Sequence, residues 1–81
     1  MLHKTKDEKF LISVYEAAGS AGDIYSSVNR YQAGHNVGLS PKAVDTICVL
    51  LLRANFVKKD VLDDICLTKN GVALVLQLLE Q

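Results

Sequence analysis

The sequence of 81 residues contains few of the residues that mark several classes of small protein. It has two cysteines, Cys48 and Cys66, no Cys-x-x-Cys pair, one proline and no tryptophan. Small secreted domains usually carry more cysteines, so the composition indicates a reduced, intracellular protein. No apolar run approaches the roughly 18 residues of a membrane span, and the first residues lack a signal-peptide pattern. These absences predict a cytoplasmic protein with no membrane partner.

An excess of charge of either sign is also absent, because nine Lys and Arg residues balance nine Asp and Glu residues. Proteins that bind nucleic acids or anionic membranes by general electrostatic attraction usually carry a basic excess. Any electrostatic binding must therefore depend on where the charges lie. The apolar fraction of 49% is too high for a disordered chain, and the length predicts a single domain over residues 1–81.

Residue patterns typical of enzymes and metal sites are missing as well. His3 and His35 are the two histidines, and neither lies at a ligand spacing from a cysteine. No combination of Ser, His and an acid forms a recognisable local motif, and there is no glycine-rich phosphate loop. We therefore predict a protein that is not an enzyme and has no metal and no cofactor. Cys48 and Cys66 are interpreted as buried apolar thiols.

Helical periodicity and capping residues predict two helices in the first half of the chain. Thr5 and Glu8 fit a capping box at the start of the first helix, and residues 19–22 end it. Asp23 is a candidate cap for a second helix, which loses its definition around residues 34–38.

The third predicted helix, about 40–54, has the clearest start in the chain. Ser40 occupies the cap position, and Pro41 the first helical position, where the missing amide of proline has no cost. Asn55 is a residue type that tolerates the left-handed conformation at a helix end. Residues 56–67 then have the pattern of two strands joined by a short turn, which predicts a hairpin.

The last predicted helix starts after Thr68 and is apolar from 72 to 79 except at position 77. Its core-facing positions are predicted to be Val72, Val75, Leu76 and Leu79. Leu74 and Leu78 then point to the opposite side, as an apolar patch that a soluble monomer usually avoids. We predict that this pair forms the interface of a homodimer or of an equivalent protein complex. The alternative is that the small domain buries both sides of the helix by itself.

Two motifs resemble those of a known family. Residues 33–40, Ala-Gly-His-Asn-Val-Gly-Leu-Ser, resemble the turn of a helix-turn-helix, in which Gly34 would permit close helix packing and Gly38 would supply the turn. Residues 67–71, Leu-Thr-Lys-Asn-Gly, are similar to the Leu-Thr-x-x-Gly start of the helix after the wing. Over roughly residues 10–79 the chain thus resembles the winged helix-turn-helix repressors of the MarR, PadR and ArsR type. The resemblance implies a mainly α (α+β) fold: a three-helix bundle, a two-stranded β-hairpin wing and a C-terminal helix.

The function that the resemblance implies is that of a small transcriptional regulator that binds double-stranded DNA as a homodimer. Its third helix would lie in the major groove and block competing proteins. At 100° per residue, the helix face away from the core carries Lys42, Thr46, Val49 and Arg53, with Asp45 at its margin. The cations would contact phosphate or guanine, and Val49 a thymine methyl group. The predicted DNA-binding residues are Ser40, Lys42, Asp45, Thr46, Val49, Arg53, Lys58 and Lys59.

The predicted wing departs from the family pattern, in which basic residues commonly occupy the tip. Here the tip consists of Asp60, Val61, Leu62, Asp63 and Asp64. Carboxylates repel a phosphate backbone, so wing contacts are carried over only to Lys58 and Lys59. The acidic tip and the neutral charge keep a second function open: a winged-helix module for protein–protein interaction without specific DNA binding.

Further basic residues cluster at the start of the chain: His3, Lys4, Lys6 and Lys9. We interpret them as a solubilising terminus. The alternative is that they add contacts to DNA phosphates.

Overall fold

Residues 4–80 are described by a computed structural model, in which four helices pack with a three-stranded antiparallel sheet. The elements are α1 Lys6–Ser20, β1 Val28–Asn29, α2 Arg30–His35, α3 Pro41–Arg53, β2 Val57–Lys59, β3 Asp64–Leu67 and α4 Lys69–Leu79. The core is a single cluster to which all four helices and the sheet contribute. A mainly helical α+β fold with a hairpin and a C-terminal helix is therefore confirmed.

The capping box at the start of α1 is confirmed. The backbone N–H of Thr5 donates to the Glu8 carboxylate at 2.8 Å, and the N–H of Glu8 donates to the Thr5 hydroxyl at 3.3 Å. The helix ends where predicted, because Gly22 takes a left-handed conformation with φ of 117°. The N–H of Asp23 then donates to the carbonyl of Ala18, which closes the last turn.

The predicted start of the second helix is wrong. Asp23 makes a turn, in which its carboxylate accepts from the N–H of Tyr25 at 2.8 Å. Val28 belongs to β1, where it pairs with Ile65, and α2 begins only after Asn29. Asp and Asn both favour caps and turns because their side chains bond to nearby backbone amides. The cap that starts α2 is therefore Asn29 and not Asp23.

The sheet has one strand more than the sequence predicts. The predicted hairpin is present, with β2 somewhat shorter than residues 56–60, but β3 is the central strand and β1 lies on its other side. Val57 opposite Leu67 sets the register of the hairpin. Because β1 is two residues long, it has no periodic pattern that the sequence could reveal.

A turn at residues 36–38 connects α2 and α3. A Cβ atom at Gly34 would lie 2.2 Å from a methyl carbon of Val44, so only glycine allows the two helices to approach this closely. Gly38 has φ of 77°, and the N–H of Leu39 donates to the Gly34 carbonyl at 2.8 Å. The roles predicted for Gly34 and Gly38 are therefore confirmed.

The start of α4 is hydrogen-bonded to the residues that follow α3. The Thr68 hydroxyl accepts from the N–H of Gly71 at 3.0 Å and donates to the carbonyl of Asn55. Asn55 has φ of 62°, which confirms the predicted left-handed end of α3. A Cβ atom at Gly71 would lie 2.0 Å from the carbonyl oxygen of Phe56. The Thr-x-x-Gly pattern therefore combines a helix cap with a backbone contact that excludes any larger residue.

The predicted orientation of α4 is wrong at four positions. Leu78 is 2% exposed and Leu74 packs partly buried against the core, whereas Leu76 is 47% and Leu79 is 50% exposed. The contact of Gly71 with the backbone sets the rotation of the helix, because positions four and seven residues later then face the core as well. Leu74 and Leu78 are thus not an exposed pair, and the exposed leucines of α4 are Leu76 and Leu79.

The two cysteines differ in their surroundings. Cys48 is fully buried in the core, as predicted, and burial raises the pKa of its thiol. Cys66 is only half-buried, because in β3 it alternates with the buried residues Ile65 and Leu67. The interpretation of Cys66 as a buried thiol is therefore only partly correct.

Candidate nucleic-acid interface

The outer face of α3 carries the side chains that the periodicity predicts. Lys42, Thr46 and Arg53 are exposed and Val49 is 47% exposed. The opposite side of α3 enters the core through Val44, Ile47, Cys48 and Leu51. Ser40 holds the start of the helix by accepting from the N–H of Ala43 at 3.2 Å, so its hydroxyl oxygen has a structural role.

The two cations of this face lie at opposite ends of α3. Lys42 and Arg53 lie about 16 Å apart along the axis of α3, since each residue adds about 1.5 Å. The major groove of B-DNA is about 12 Å wide and admits one α-helix. Long side chains at the two ends of the helix can therefore reach the phosphates that border a groove. Thr46 and Val49 lie between the two cations.

Thr46 and Val49 offer small, mostly apolar surfaces. The Thr46 hydroxyl donates to the Lys42 carbonyl at 3.2 Å, so its proton is used within the helix. Its methyl group and the Val49 side chain remain for contact with a partner. Leu50 is 53% exposed beside them and widens this apolar strip.

Asp45 accepts a hydrogen bond from the neighbouring helix α2. The Tyr31 hydroxyl donates to one Asp45 carboxylate oxygen at 2.7 Å and so joins α2 to α3. This hydrogen bond, with the nearby charge of Asp45, raises the pKa of Tyr31 above its ordinary value of 10.0. The contact with DNA that the sequence predicts for Asp45 would therefore compete with a hydrogen bond that joins α2 to α3.

We expect the Tyr31 ring to titrate above pH 10.0 because ionisation breaks its bond to Asp45. The folded-state pKa is raised, so the contribution of this bond to stability is complete below the ordinary pKa and is lost as the pH rises through the raised one. Ring NMR signals followed against pH would measure this. In Asp45→Asn, the same signals should titrate closer to pH 10.0. An unchanged midpoint would contradict the assignment.

Two cations of α1, Lys6 and Lys9, lie at the start of α3. From the sequence they were interpreted as part of a solubilising terminus. Lys6 and Lys9 line a cavity of about 320 Å³ together with residues 37–40 and Ala43. Helical spacing places the two lysines on one face of α1, but only the fold shows that this face meets the turn before α3. His3 lies outside the described residues.

Lys58 and Lys59 point to different sides of β2. Lys58 lies opposite Cys66 and lines a groove on the outer side of the sheet, whereas Lys59 lies opposite Ile65. Both are exposed. The structure thus groups Lys58 with residues other than those of the α3 face.

The tip of the hairpin is acidic and apolar, as the sequence indicates. The Ser27 hydroxyl donates to the Asp60 carboxylate, and Arg30 donates to the Asp63 carbonyl at 3.0 Å from its side chain. Val61 is 67% and Leu62 is 86% exposed. The base of the tip is therefore held by hydrogen bonds while its apolar side chains project outward.

Comparison with known proteins finds no matching family model, no matching curated protein and no matching solved structure. Among residues 4–80, no helix is long and apolar enough to cross a membrane. Within the same described range, no three His, Cys, Asp or Glu side chains are grouped so that they could hold a metal ion.

Proposed function

We propose that this chain is a winged-helix domain that binds double-stranded DNA as a transcriptional regulator, with α3 as the recognition helix. The order of its elements supports this fold, because β1 lies between α1 and α2 and pairs with β3 of the hairpin. The close approach of α2 and α3 at Gly34 is also typical of a helix-turn-helix.

The observation that carries the proposal is the grouping of cations around one helix. Lys42 and Arg53 occupy the two ends of the exposed face, and Lys6 and Lys9 lie beside the start of α3. In a chain whose net charge is zero, this arrangement makes one surface locally basic. A groove lined by phosphates favours such a surface even when the whole protein carries no excess charge.

In the proposed complex, α3 lies in the major groove with its outer face toward the bases. Lys42 and Arg53 neutralise phosphates on the two borders of the groove, and Lys6 and Lys9 contact phosphates near the start of the helix. Val49 contacts a thymine methyl group. Regulation is steric, since the bound protein occupies a site that polymerase or another protein needs.

Measuring binding to a duplex of random sequence at several salt concentrations tests this function. Four phosphate contacts per protomer predict a slope of about −3 to −4 when the logarithm of the association constant is plotted against that of the salt concentration. We expect micromolar binding at about 50 mM salt that is lost at a few hundred millimolar. Absence of binding at low salt, with a folded protein, would contradict the proposal.

Dimerisation is proposed through the exposed side of α4, with Leu76 and Leu79 in place of the predicted pair. Two leucines about half exposed one turn apart form an apolar surface that a second copy can cover around a two-fold axis. Two short helices bury less than a standard interface, so we expect a dissociation constant of about 10 to 100 µM.

Replacing Leu76 and Leu79 by Asp should leave a monomer at concentrations where the unmodified chain dimerises, because the charges cannot be buried. Sedimentation velocity at about 100 µM measures this directly. Leu62→Asp is the matched control, since Leu62 is more exposed but lies on the hairpin tip. A monomeric unmodified chain, or dissociation caused by the control instead, would contradict the α4 interface.

A protein–protein interaction module is the second candidate, and the hairpin tip favours it. Leu62 projects from the tip with φ of 54°, a left-handed conformation that is unfavourable by about 1 kcal/mol for a residue of this type. The neighbouring carboxylates oppose contact with phosphate. If Leu62→Asp abolishes the cellular function of the chain and leaves DNA binding unchanged, this second function is supported.

A further inference from the structure

A groove forms one end of the outer side of the sheet, near the start of α4. It has a volume of about 500 Å³ and is lined by Tyr25, Lys58, Cys66, Leu67, Thr68 and Lys69. Lys58 and Lys69 are exposed, and none of the six lining residues is acidic. Tyr25 is 44% exposed and adds an aromatic ring. This end of the sheet therefore offers positive charge and apolar surface together.

The other end of the same outer side is acidic. Alternation along β3 places Asp64 outward, since its neighbour Ile65 faces the core. The N–H of Asp60 donates to the Asp64 carbonyl at 2.9 Å, so the pairing of the hairpin continues as far as Asp60. The Ser27 hydroxyl, from the segment just before β1, donates to the Asp60 carboxylate across the central strand. Both carboxylates therefore lie on the outer side of the sheet.

Beyond these carboxylates, the hairpin tip carries two exposed apolar side chains. Val61 is 67% and Leu62 is 86% exposed. Leu62 also holds a left-handed backbone conformation, which glycine or asparagine adopts more readily than leucine. The leucine thus favours neither the core nor the turn. An exposed apolar side chain in a strained conformation is typical of a contact with a partner.

The order of these groups makes the outer side of the sheet complementary to itself. The lysines, the carboxylates and the apolar tip follow one another along the hairpin, with Lys58 and Asp60 about 7 Å apart. A second copy, turned by 180° about an axis between the two sheets and perpendicular to their strands, reverses this order. The lysines of each copy then lie opposite the carboxylates of the other, and each tip reaches the other groove. One two-fold axis produces both sets of contacts.

We propose that two copies of this chain associate through the outer sides of their sheets. The lysines of each groove pair with the carboxylates of the other copy, and Leu62 of each copy enters the groove of the other beside Tyr25. The association uses neither the outer face of α3 nor the exposed leucines of α4, so it depends neither on DNA binding nor on the α4 interface.

The size of this surface predicts a weak contact. It extends about 15 Å along the strands and about 14 Å across them. That is small beside the roughly 800 Å² per partner of a standard interface, so we expect a dissociation constant of about 1 mM. Few chains are paired in this way at the concentration of about 100 µM that tests the α4 interface. Copies that are already held close together, at millimolar effective concentration, make the contact readily.

Amide NMR spectra at about 0.1 and about 2 mM protein measure the association. Leu76→Asp and Leu79→Asp are present in every sample, so that α4 makes no contribution. A dissociation constant of about 1 mM raises the paired fraction from about one chain in seven to about three in five. We expect the signals of the groove and the tip to shift with concentration, and those of the outer face of α3 to stay constant. Raising the salt from about 50 to about 500 mM should weaken the association about threefold.

Leu62→Asn tests the apolar part of the contact without disturbing the hairpin. Asparagine tolerates the left-handed conformation, so the stability of the chain in urea should be unchanged or higher. The association should weaken about fivefold to tenfold, because the tip no longer fills the opposite groove with apolar surface. Leu50→Asn is the matched control, since it removes a leucine that is 53% exposed on α3 and should leave the association unchanged.

Exchange of charges tests the pairing itself. An acidic variant carries Lys58→Asp and Lys69→Asp, and a basic variant carries Asp60→Lys and Asp64→Lys. The outer side of each sheet then bears charges of one sign, so neither variant alone should associate at about 2 mM. When the isotope-labelled acidic variant is mixed with the unlabelled basic variant, the shifts of the groove and the tip should return.

A second mixture controls for general attraction between opposite net charges. It replaces the acidic variant by one with Lys6→Asp and Lys9→Asp, which has the same net charge and an unchanged sheet. This variant should associate with the basic variant at least about threefold more weakly than the acidic variant does. Circular dichroism confirms that every variant is folded.

Three outcomes would overturn the proposal. One is a folded chain whose spectra do not change between about 0.1 and about 2 mM. Another is an equal effect of Leu62→Asn and Leu50→Asn on the association. The third is a mixture of the acidic and basic variants that associates no better than the control mixture. None of these samples contains DNA and all of them lack the α4 leucines, so their failure is distinguishable from failure of the proposed regulatory function.

Discussion

Gly71→Ala should destabilise the protein by about 3 kcal/mol or more, which is a large part of the stability of so small a domain. The added Cβ would lie 2.0 Å from the carbonyl oxygen of Phe56, and that oxygen also accepts from the N–H of Thr68 at 3.1 Å. A backbone carbonyl cannot rotate away as a side chain can. Relief therefore requires α4 to move away from the β2 end of the sheet, which opens the core around Val72 and Val75.

Urea denaturation followed by far-ultraviolet circular dichroism measures this effect. Gly19→Ala is the matched control, since its Cβ would meet only a methyl carbon of Ile24 at 4.0 Å and alanine favours the helix. We expect the control to be neutral or stabilising by up to about 1 kcal/mol. Gly34→Ala should destabilise the protein by an intermediate amount, because the atom that its Cβ meets belongs to the side chain of Val44 and not to the backbone. Equal stability of all three variants would contradict the close approach at Gly71.

The rotation of α4 shows where sequence periodicity stops being informative. Residues 72–79 are apolar at nearly every position, so two different faces satisfy the same pattern. The choice between them comes from the contact of Gly71 with Phe56, two residues that are distant in sequence. The Leu-Thr-x-x-Gly pattern marked the start of the helix correctly, but its effect on the helix orientation needs the position of the strand before it.

The predicted start of the second helix is wrong for a different reason. Asp23 and Asn29 are both good capping residues. A helix that begins after either of them contains apolar residues that could face the core. Pairing of Val28 with Ile65 decides in favour of Asn29, because the extended residues before it complete the sheet. Local propensity cannot show a two-residue strand whose partner is more than thirty residues away.

The exposed face of α3 could be predicted because every local signal agrees. Ser40 and Pro41 define the start, Asn55 defines the end, and the core positions between them leave one outer face. Lys6 and Lys9 could not be assigned to this surface, since a pair of lysines one turn apart on a helix is usually only solvated. Their place beside α3 depends on the packing of α1.

Reversal of charge on the outer face of α3 should weaken DNA binding more than any other surface change. Arg53→Glu and Lys42→Glu each remove one phosphate contact and add a repulsive carboxylate, so we expect about a tenfold to hundredfold loss at about 50 mM salt. The double variant should lose at least about a hundredfold, and the salt slope should fall in magnitude by about one for each contact removed. Fluorescence anisotropy with a labelled duplex measures both quantities.

Lys69→Glu is the control, since it changes the net charge by the same amount at an exposed helix end outside the α3 face. Long-range attraction alone would weaken all three single variants alike, and would do so by about threefold or less at moderate salt. If α3 contacts the DNA instead, Arg53→Glu and Lys42→Glu should each lose more DNA affinity than the control. Equal losses in all three would exclude α3 as the binding helix. The exposed leucine at the acidic hairpin tip would then be the better supported surface, and protein–protein interaction the better supported function.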